Sequence, residues 1–252
     1  MNSPLRYEVR DRVAWLTLDR PQSLNALNLA LFDALEARFR ELSADPQVLA
    51  AVVHGAGERA FSTGADLKEA ASGTIDVMDR VERDTWPYVS KPLIAAIHGF
   101  CLAGGFELAL RCDIRIATPD AEFGMPEPRW CLMGGYGLHH LSRMIPMGEA
   151  MYLQLTGQRI GAQRAHEIGL VQCIVPRSEL LGEAARIATA IARNAPLAVQ
   201  GIKRVVSHGR HLPVEASQKF AAPIERQVYA SEDSREGPRA FAEKREPRWQ
   251  GR

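Results

Sequence analysis

Two glutamates stand out, each behind a glycine-containing turn. Gly104-Gly105-Phe106-Glu107 is followed twenty residues later by Gly124-Met125-Pro126-Glu127. A glycine pair opening a helix presents backbone N–H groups with no Cβ in the way, and each stretch supplies one carboxyl group. Brought together, Glu107 and Glu127 can hold one water between two acid/base groups, beside amides that stabilise an oxyanion. That combination suits adding water to, or moving protons on, a polarised carbonyl compound. Taken singly, each residue also has a structural reading. A carboxylate in a helix's first turn gains ~0.3–1 kcal/mol from the macrodipole, which accounts for Glu107, and Glu127 fits a surface position between two prolines.

Two other chemistries compete. Gly55-Ala56-Gly57-Glu58-Arg59-Ala60 has the GxGxxA form of a dinucleotide fingerprint and follows an apolar strand. However, Phe61-Ser62-Thr63-Gly64 is a poor helical start, and no acidic residue ends a second strand about 20 positions on. An ordinary glycine turn accounts for the segment better. Gly99-Phe100-Cys101-Leu102-Ala103 resembles a nucleophile elbow, with His166, His208 and His211 downstream as candidate bases. Here the helix starts at Gly104-Gly105 rather than directly after Cys101, which favours a buried cysteine acting as a small hydrophobe.

The elements that must position these groups follow from periodicity. Tyr7-Glu8-Val9 and Val13–Leu18 alternate around Arg10-Asp11-Arg12 and predict a hairpin. Leu31, Leu35, Phe39 and Leu42 recur at helical spacing until Asp45-Pro46. Val48–Val53, Leu93–Ile97 and Asp113–Ala117 are continuous apolar runs joined through helices, which predicts a largely parallel sheet covered on both faces. From Pro146 the pattern turns helical, with Leu180, Ala184, Ile187 and Ile191 on one face and Ile202, Val205 and Val206 on another; Gly209 stands where a C-cap would fall. The expected organisation is an α/β body over residues 1–190 and a helical region over 191–252. Residues 70–84 are polar and aperiodic, as expected of a loop or frayed helix.

Bulk composition excludes several function classes. The 252 residues are 46% hydrophobic and 24% charged with a formal net charge of +1, so no global field draws nucleic acid or a membrane surface. The basic stretch from Arg235 is interleaved with Glu236, Glu243 and Glu246, as expected of a solvated helix face. Cys101, Cys112, Cys131 and Cys173 form no CxxC pair, which argues against structural zinc or a disulfide framework and for a reducing compartment. His139-His140 lacks further ligands and reads as surface or packing histidines, so no metal is expected. The N-terminus carries no apolar core of a signal peptide and no run reaches ~20 apolar residues. The expectation is a soluble, cytoplasmic protein.

Three blocks then carry a family resemblance. Ala60-Phe61-Ser62-Thr63-Gly64-Ala65-Asp66-Leu67-Lys68-Glu69 resembles the signature loop of the crotonase (enoyl-CoA hydratase/isomerase) superfamily. Ile97–Leu108 is similar to its second block and Ala121–Glu127 to its third. Asn25-Ala26-Leu27-Asn28, Leu155-Thr156-Gly157, Gly169-Leu170-Val171, Ser231–Gly237 and Phe241–Arg245 extend the match in order along nearly the whole chain. The resemblance implies an α/β spiral of ββα units with a helical C-terminal region that mediates trimer or hexamer assembly. The implied substrates are acyl-CoA thioesters, with no cofactor beyond the CoA they carry. It places the oxyanion hole at the Ala65 and Gly104 amides and the water-holding pair at Glu107 and Glu127. Substrate and CoA contacts fall on Ala26, Leu27, Ala65, Asp66, Leu67, Gly104, Pro126, Gly134 and Gly135. The implied activity is hydration of a 2-enoyl thioester, Glu127 delivering the α-proton and Glu107 orienting and activating the water. A double-bond isomerase, another crotonase reaction on a specialised acyl group and a non-catalytic acyl-CoA-binding protein are the alternatives.

One loop departs from the family pattern. After Glu127 the chain runs Pro128-Arg129-Trp130-Cys131-Leu132-Met133-Gly134-Gly135-Tyr136-Gly137. Cys131 stands where relatives commonly carry glycine, a proline is missing and the loop is about one residue short. Pro128 biases Glu127 away from helical angles.

Overall fold

The computed structural model describes residues 3–71 and 86–252. Strands β1 (Leu5–Arg10) and β2 (Val13–Leu18) form the expected antiparallel hairpin. Asp11 and Arg12 between them have φ of 49° and 64°, the left-handed pair that a two-residue type I′ turn requires. Helix α1 (Leu29–Ala44) is capped by Asn28, whose side chain accepts the Leu31 N–H at 3.1 Å. Leu31, Leu35, Phe39 and Leu42 are all buried along its inner stripe.

The next step of the fold is made three times. A strand enters a large sheet, a short strand follows in a small sheet, and a helix leads back. The first unit is β3 (Ala50–Gly55), β4 (Ala60–Ser62) and α2 (Leu67–Ala71). The second is β5 (Leu93–Ile97), β6 (Phe100–Leu102) and α3 (Gly104–Arg111). The third is β7 (Ile114–Ala117), β8 (Glu122–Gly124) and α4 (Tyr136–Met144), with a 3-10 turn at Glu127–Trp130 before the helix. After α5 (Met147–Thr156), β9 (Arg159–Gly161) and α6 (Ala162–Glu167), strand β10 (Cys173–Ile174) completes the large sheet.

The large sheet has the order β1-β2-β3-β5-β7-β10 and is parallel beyond the hairpin. Its continuous apolar runs are explained by burial on both faces. Ala51, Val53, Ala95 and Ile97 join the main core with Phe39, Phe61, Phe106 and Phe123. Ala50, Val52, Ile94 and Ala96 lie beneath α7 (Leu180–Ala192) through Leu180, Ala184 and Ala188. The small sheet, order β4-β6-β8-β9, was not foreseen: three-residue strands span too little sequence to show a period.

Three helices follow: α8 (Pro196–Gly209), α9 (Val214–Ala230) and α10 (Asp233–Ala242). Gly209 is not a C-cap. It is the last residue of α8, and Arg210 is the cap. A Cβ on Gly209 would stand 2.4 Å from Ser217 Oγ, so the glycine lets α8 and α9 close on each other. Glu236 does not belong to a solvated face either. It is buried, pairs with Arg239 and Arg245, and accepts the Arg248 N–H at 2.9 Å. Asp233 accepts the Gln250 and Gly251 N–H groups at 2.7 and 2.9 Å, so the two acids hold residues 248–251 against α10. Of the loop or frayed helix expected at 70–84, residues 72–84 lie outside the described residues. Among the described residues, no helix is long and apolar enough to cross a membrane.

Candidate active site

Strand register explains how distant residues meet. β4, β6 and β8 run parallel, with Ser62 opposite Cys101 and Leu102 opposite Gly124. Neighbouring strands lie ~4.8 Å apart, so the three carboxyl ends leave one edge of the small sheet side by side. From that edge the chain goes on to Ala65, to Gly104 and Glu107, and to Glu127. The Ala103 N–H donates to the Gly124 carbonyl at 3.0 Å and ties the start of α3 to the end of β8.

Two backbone amides converge there. The Leu27–Ala65 bridge is closed by the Leu27 N–H to Gly64 carbonyl bond (2.8 Å) and the Asp66 N–H to Leu27 carbonyl bond (3.0 Å). The intervening Ala65 N–H therefore points the other way, toward Gly104. A Cβ on Gly104 would stand 3.6 Å from Leu27 Cδ1 and 3.7 Å from Ala65 N, filling the space between the two amides. Gly64 has φ +84°, and a Cβ there would fall 2.7 Å from Gly104 N. Ala103, just before the helix, adopts φ 51° and ψ −132°, a combination non-glycine residues rarely take. This strained residue turns the chain so that the Gly104 amide sits at the first position of α3.

The two carboxyl groups face one small volume. A Cβ on Gly134 would lie 3.2 Å from Glu107 Oε1 and 3.8 Å from Glu127 Oε1. Glu107 Oε1 accepts the Gly137 N–H at 2.9 Å. Burial is the main cause that pushes Glu107 up to about 7; the Gly137 and Gly135 amides oppose it and the charge of Glu127 adds to it. Burial likewise raises Glu127 to about 6. Glu127 Oε2 is buried with no hydrogen-bond partner among the described residues. A Cβ on Gly134 or Gly137 would stand 2.8 or 2.6 Å from Met125 Cε, so the end of the Met125 side chain packs directly against both glycines.

Glu127 opens the 3-10 turn, and Pro128 is its second residue, where a missing N–H forfeits no helical bond. The proline's bias thus does not keep Glu127 out of the turn. Cys131 closes that turn in the left-handed region (φ 57°, ψ 37°), donating its N–H to the Pro128 carbonyl at 3.3 Å.

Of the other expected contact residues, Ala26 and Leu27 are buried beside the bridge and Gly135 is buried beside Glu107. Pro126 directly precedes Glu127 and caps its turn. Asp66 does not offer a free carboxylate: it is paired with Arg20 at 3.0 Å, and Arg20 also donates to the Ala26 carbonyl. Leu67 is exposed at the start of α2. Sequence reasoning missed Gly137, Met125, Gly64 and Ala103 as parts of the site. Only the glycines left a signal, in the loop that departs from the family pattern and in the signature loop.

The competing chemistries find no support in the geometry. The Gly55–Gly57 segment turns into β4 rather than a helix, and Gly57 (φ +77°) abuts Pro21. Cys101 is fully buried, its Sγ 3.8 Å from the Gly105 carbonyl, and burial pushes its thiol well up. His140 is a packing residue, stacked on Tyr136.

The chain resembles known proteins along nearly its whole length. The sequence model of the enoyl-CoA hydratase/isomerase family matches residues 8–252. The chain is 37% identical to (E)-benzylidenesuccinyl-CoA hydratase of Thauera aromatica, with 98% of this chain and 99% of that protein covered. It is 38% identical to short-chain-enoyl-CoA hydratase of Clostridium acetobutylicum, covering 94% of each. A crystal structure of enoyl-CoA hydratase from Mycobacterium tuberculosis H37Rv superimposes with a TM-score of 0.93, at 38% identity and with both chains fully covered.

Proposed function

The chain belongs to the enoyl-CoA hydratase/isomerase family, and from that premise we propose that it adds water across the 2,3 double bond of an enoyl-CoA thioester. The observation that carries this reading is the pairing of Glu107 and Glu127 over one small space, both with raised pKa. Burial holds the two carboxyls close enough to neutrality for one to be protonated while the other is ionised. They titrate as a pair; burial favours the shared proton on Glu107, and hydration starts from the tautomer in which that proton has passed to Glu127.

In that state the Glu107 carboxylate takes a proton from the water as its oxygen bonds to C3. The double-bond electrons move toward C1 and the thioester oxygen becomes an enolate oxygen. The Ala65 and Gly104 N–H groups meet that charge without reorganising; removing one such donor costs roughly 3 kcal/mol. The enolate then collapses as C2 takes the Glu127 proton. Water has been added, and one proton has passed from Glu127 to Glu107. The reaction needs no cofactor beyond the CoA of the substrate. Ala26, Leu27, Ala65, Asp66 and Leu67 are assigned to the CoA moiety, Asp66 by holding Arg20 against Ala26 rather than by presenting a charge.

The same reading includes a trimer or a hexamer as the working assembly, with residues 1–190 as the catalytic body and 191–252 as the assembly region. Four free cysteines support a cytoplasmic location. The deciding experiment follows the enoyl-thioester absorbance of crotonyl-CoA with wild type, Glu107→Gln and Glu127→Gln. Wild type is expected to consume the absorbance, and each variant to be slower by roughly 10²–10⁴-fold with CoA binding retained. Near-normal turnover in Glu127→Gln refutes its role. A wild type inert toward crotonyl-CoA but able to shift the double bond of a 3-enoyl-CoA reassigns the chain to isomerisation, which can use Glu127 alone.

A further inference from the structure

We propose that Tyr136 is a positioning residue for the hydration site, its ring clamped between Arg111 and His140 so that the peptide bond it shares with Gly137 is held against Glu107. This rests on the hydratase reading above and goes beyond it, because Tyr136 touches neither water nor substrate in that reading.

The geometry is a stack of three planar groups. The Arg111 guanidinium carbon lies 4.1 Å from the Tyr136 ring centroid and 5.5 Å from that of Trp86. On its other face, the Tyr136 ring lies 3.7 Å from the His140 imidazole with only 5° between the planes. Arg111 sits on α3 one helical turn beyond Glu107, so its stem is fixed to the same rigid element as the carboxylate. The stack therefore ties α4 to α3 directly behind Glu107.

Both ends of the Tyr136–Gly137 peptide unit are also engaged. His140 Nδ1 lies 2.9 Å from the Tyr136 carbonyl. A carbonyl only accepts, so Nδ1 carries the proton. On the far side, the Gly137 N–H donates to Glu107 Oε1 at 2.9 Å. A continuous line runs from imidazole N–H through one peptide dipole to the carboxylate, and such chains polarise each other. Burial, with the charges of Arg111, His211 and Arg143, disfavours a second proton on His140, against the bond to the Tyr136 carbonyl, which favours it. Glu107 itself faces the carboxyl of Glu127 across the site, and the Gly137 and Gly135 amides favour its ionised form.

A mere space-filler behind the loop would be replaceable by any apolar side chain of similar size. A clamp needs a flat ring, since cation–π and stacking contacts are made through the face. Three variants separate these cases: Tyr136→Phe keeps the ring, Tyr136→Leu keeps the bulk, and Tyr136→Ala removes both. The titration of Glu107 is read directly by carbon-13 carboxyl NMR, and hydration kinetics are run alongside.

Tyr136→Phe is expected to match wild type in both. In Tyr136→Leu and Tyr136→Ala the Glu107 titration is expected to move upward, because a donor favouring the carboxylate loosens. Their kcat is expected to fall roughly tenfold to a hundredfold with KM for crotonyl-CoA little changed. The loss should vanish in a Glu107→Gln background, where the Gly137 amide no longer meets a base. A Tyr136→Leu protein with wild-type titration and wild-type kcat overturns the proposal, as does a Tyr136→Phe protein as impaired as Tyr136→Leu. Should wild type fail to hydrate at all, the NMR titration still decides the clamp while the hydratase reading falls.

Discussion

At the scale of single residues, what distinguishes this site is that two acids are kept near neutrality by burial rather than by ion pairing. Glu107 rests at about 7 and Glu127 at about 6, and hydration requires one proton across the pair. The sign follows directly. Below about 6 a second proton silences the base, and above about 7 loss of the last proton silences the acid. A bell-shaped profile of kcat/KM peaking between about 6 and 7 is therefore expected from initial rates with crotonyl-CoA. A profile flat from pH 5 to 8 contradicts it. Both glutamates were legible because each follows a glycine-containing turn that leaves a local mark in the sequence. Of their partners, the Ala65 amide was reached only through the family resemblance, and the Gly137 amide not at all. The Ala65 amide is exposed only because a bridge to Leu27 turns its neighbours away, and the Gly137 amide reaches Glu107 across thirty residues. A backbone N–H is the same in every residue, so its role has no signature in residue type. The strain at Ala103 (φ 51°, ψ −132°) is equally silent, since alanine announces helix rather than a left-handed turn.

At the scale of elements, three parallel strand ends do the assembling, and one loop finishes the work. Long elements were legible: α1 through its 3–4 spacing, the large sheet through apolar runs buried on both faces, the hairpin through alternation. The small sheet that aligns the site was hidden, because β4, β6, β8 and β9 are three residues each. The loop from Glu127 to Gly137 was visible as a departure, and its consequence is physical. Cys131 is exposed and left-handed, with φ 57°, where a residue with a Cβ is strained by roughly 1 kcal/mol or more. Cys131→Gly is accordingly expected to raise stability by about 1 kcal/mol, a rise of about 2–4 °C in the thermal midpoint for a chain of this size. Differential scanning calorimetry reads that shift. An unchanged or lower midpoint shows that the cysteine side chain contributes enough elsewhere to offset its strain.

At the scale of the whole molecule, the chain ends in helices whose apolar surface is only partly covered. Ile202 and Val206, one turn apart on α8, remain 64% and 59% exposed, and Phe241 on α10 is 87% exposed. Periodicity in the sequence predicted an apolar face on α8; it carried no information about what would cover it, because a helical stripe records burial and not the identity of the neighbour. Further copies of the chain are the cover that the proposed assembly supplies. In a closed ring each contact repeats at every interface, so a small change per chain is multiplied. Full burial of side chains this size is worth about 1.5–3 kcal/mol each. Replacing both by glutamate removes that gain and adds charges that resist desolvation. The double variant Ile202→Glu, Val206→Glu is therefore expected to sediment as smaller species than wild type, which itself should run at three or six chain masses. Its far-ultraviolet circular dichroism should stay unchanged, since both side chains already face outward in the single chain. A wild type that sediments as one chain at micromolar concentration sinks the assembly. A double variant that keeps the wild-type distribution moves the interface off this face of α8.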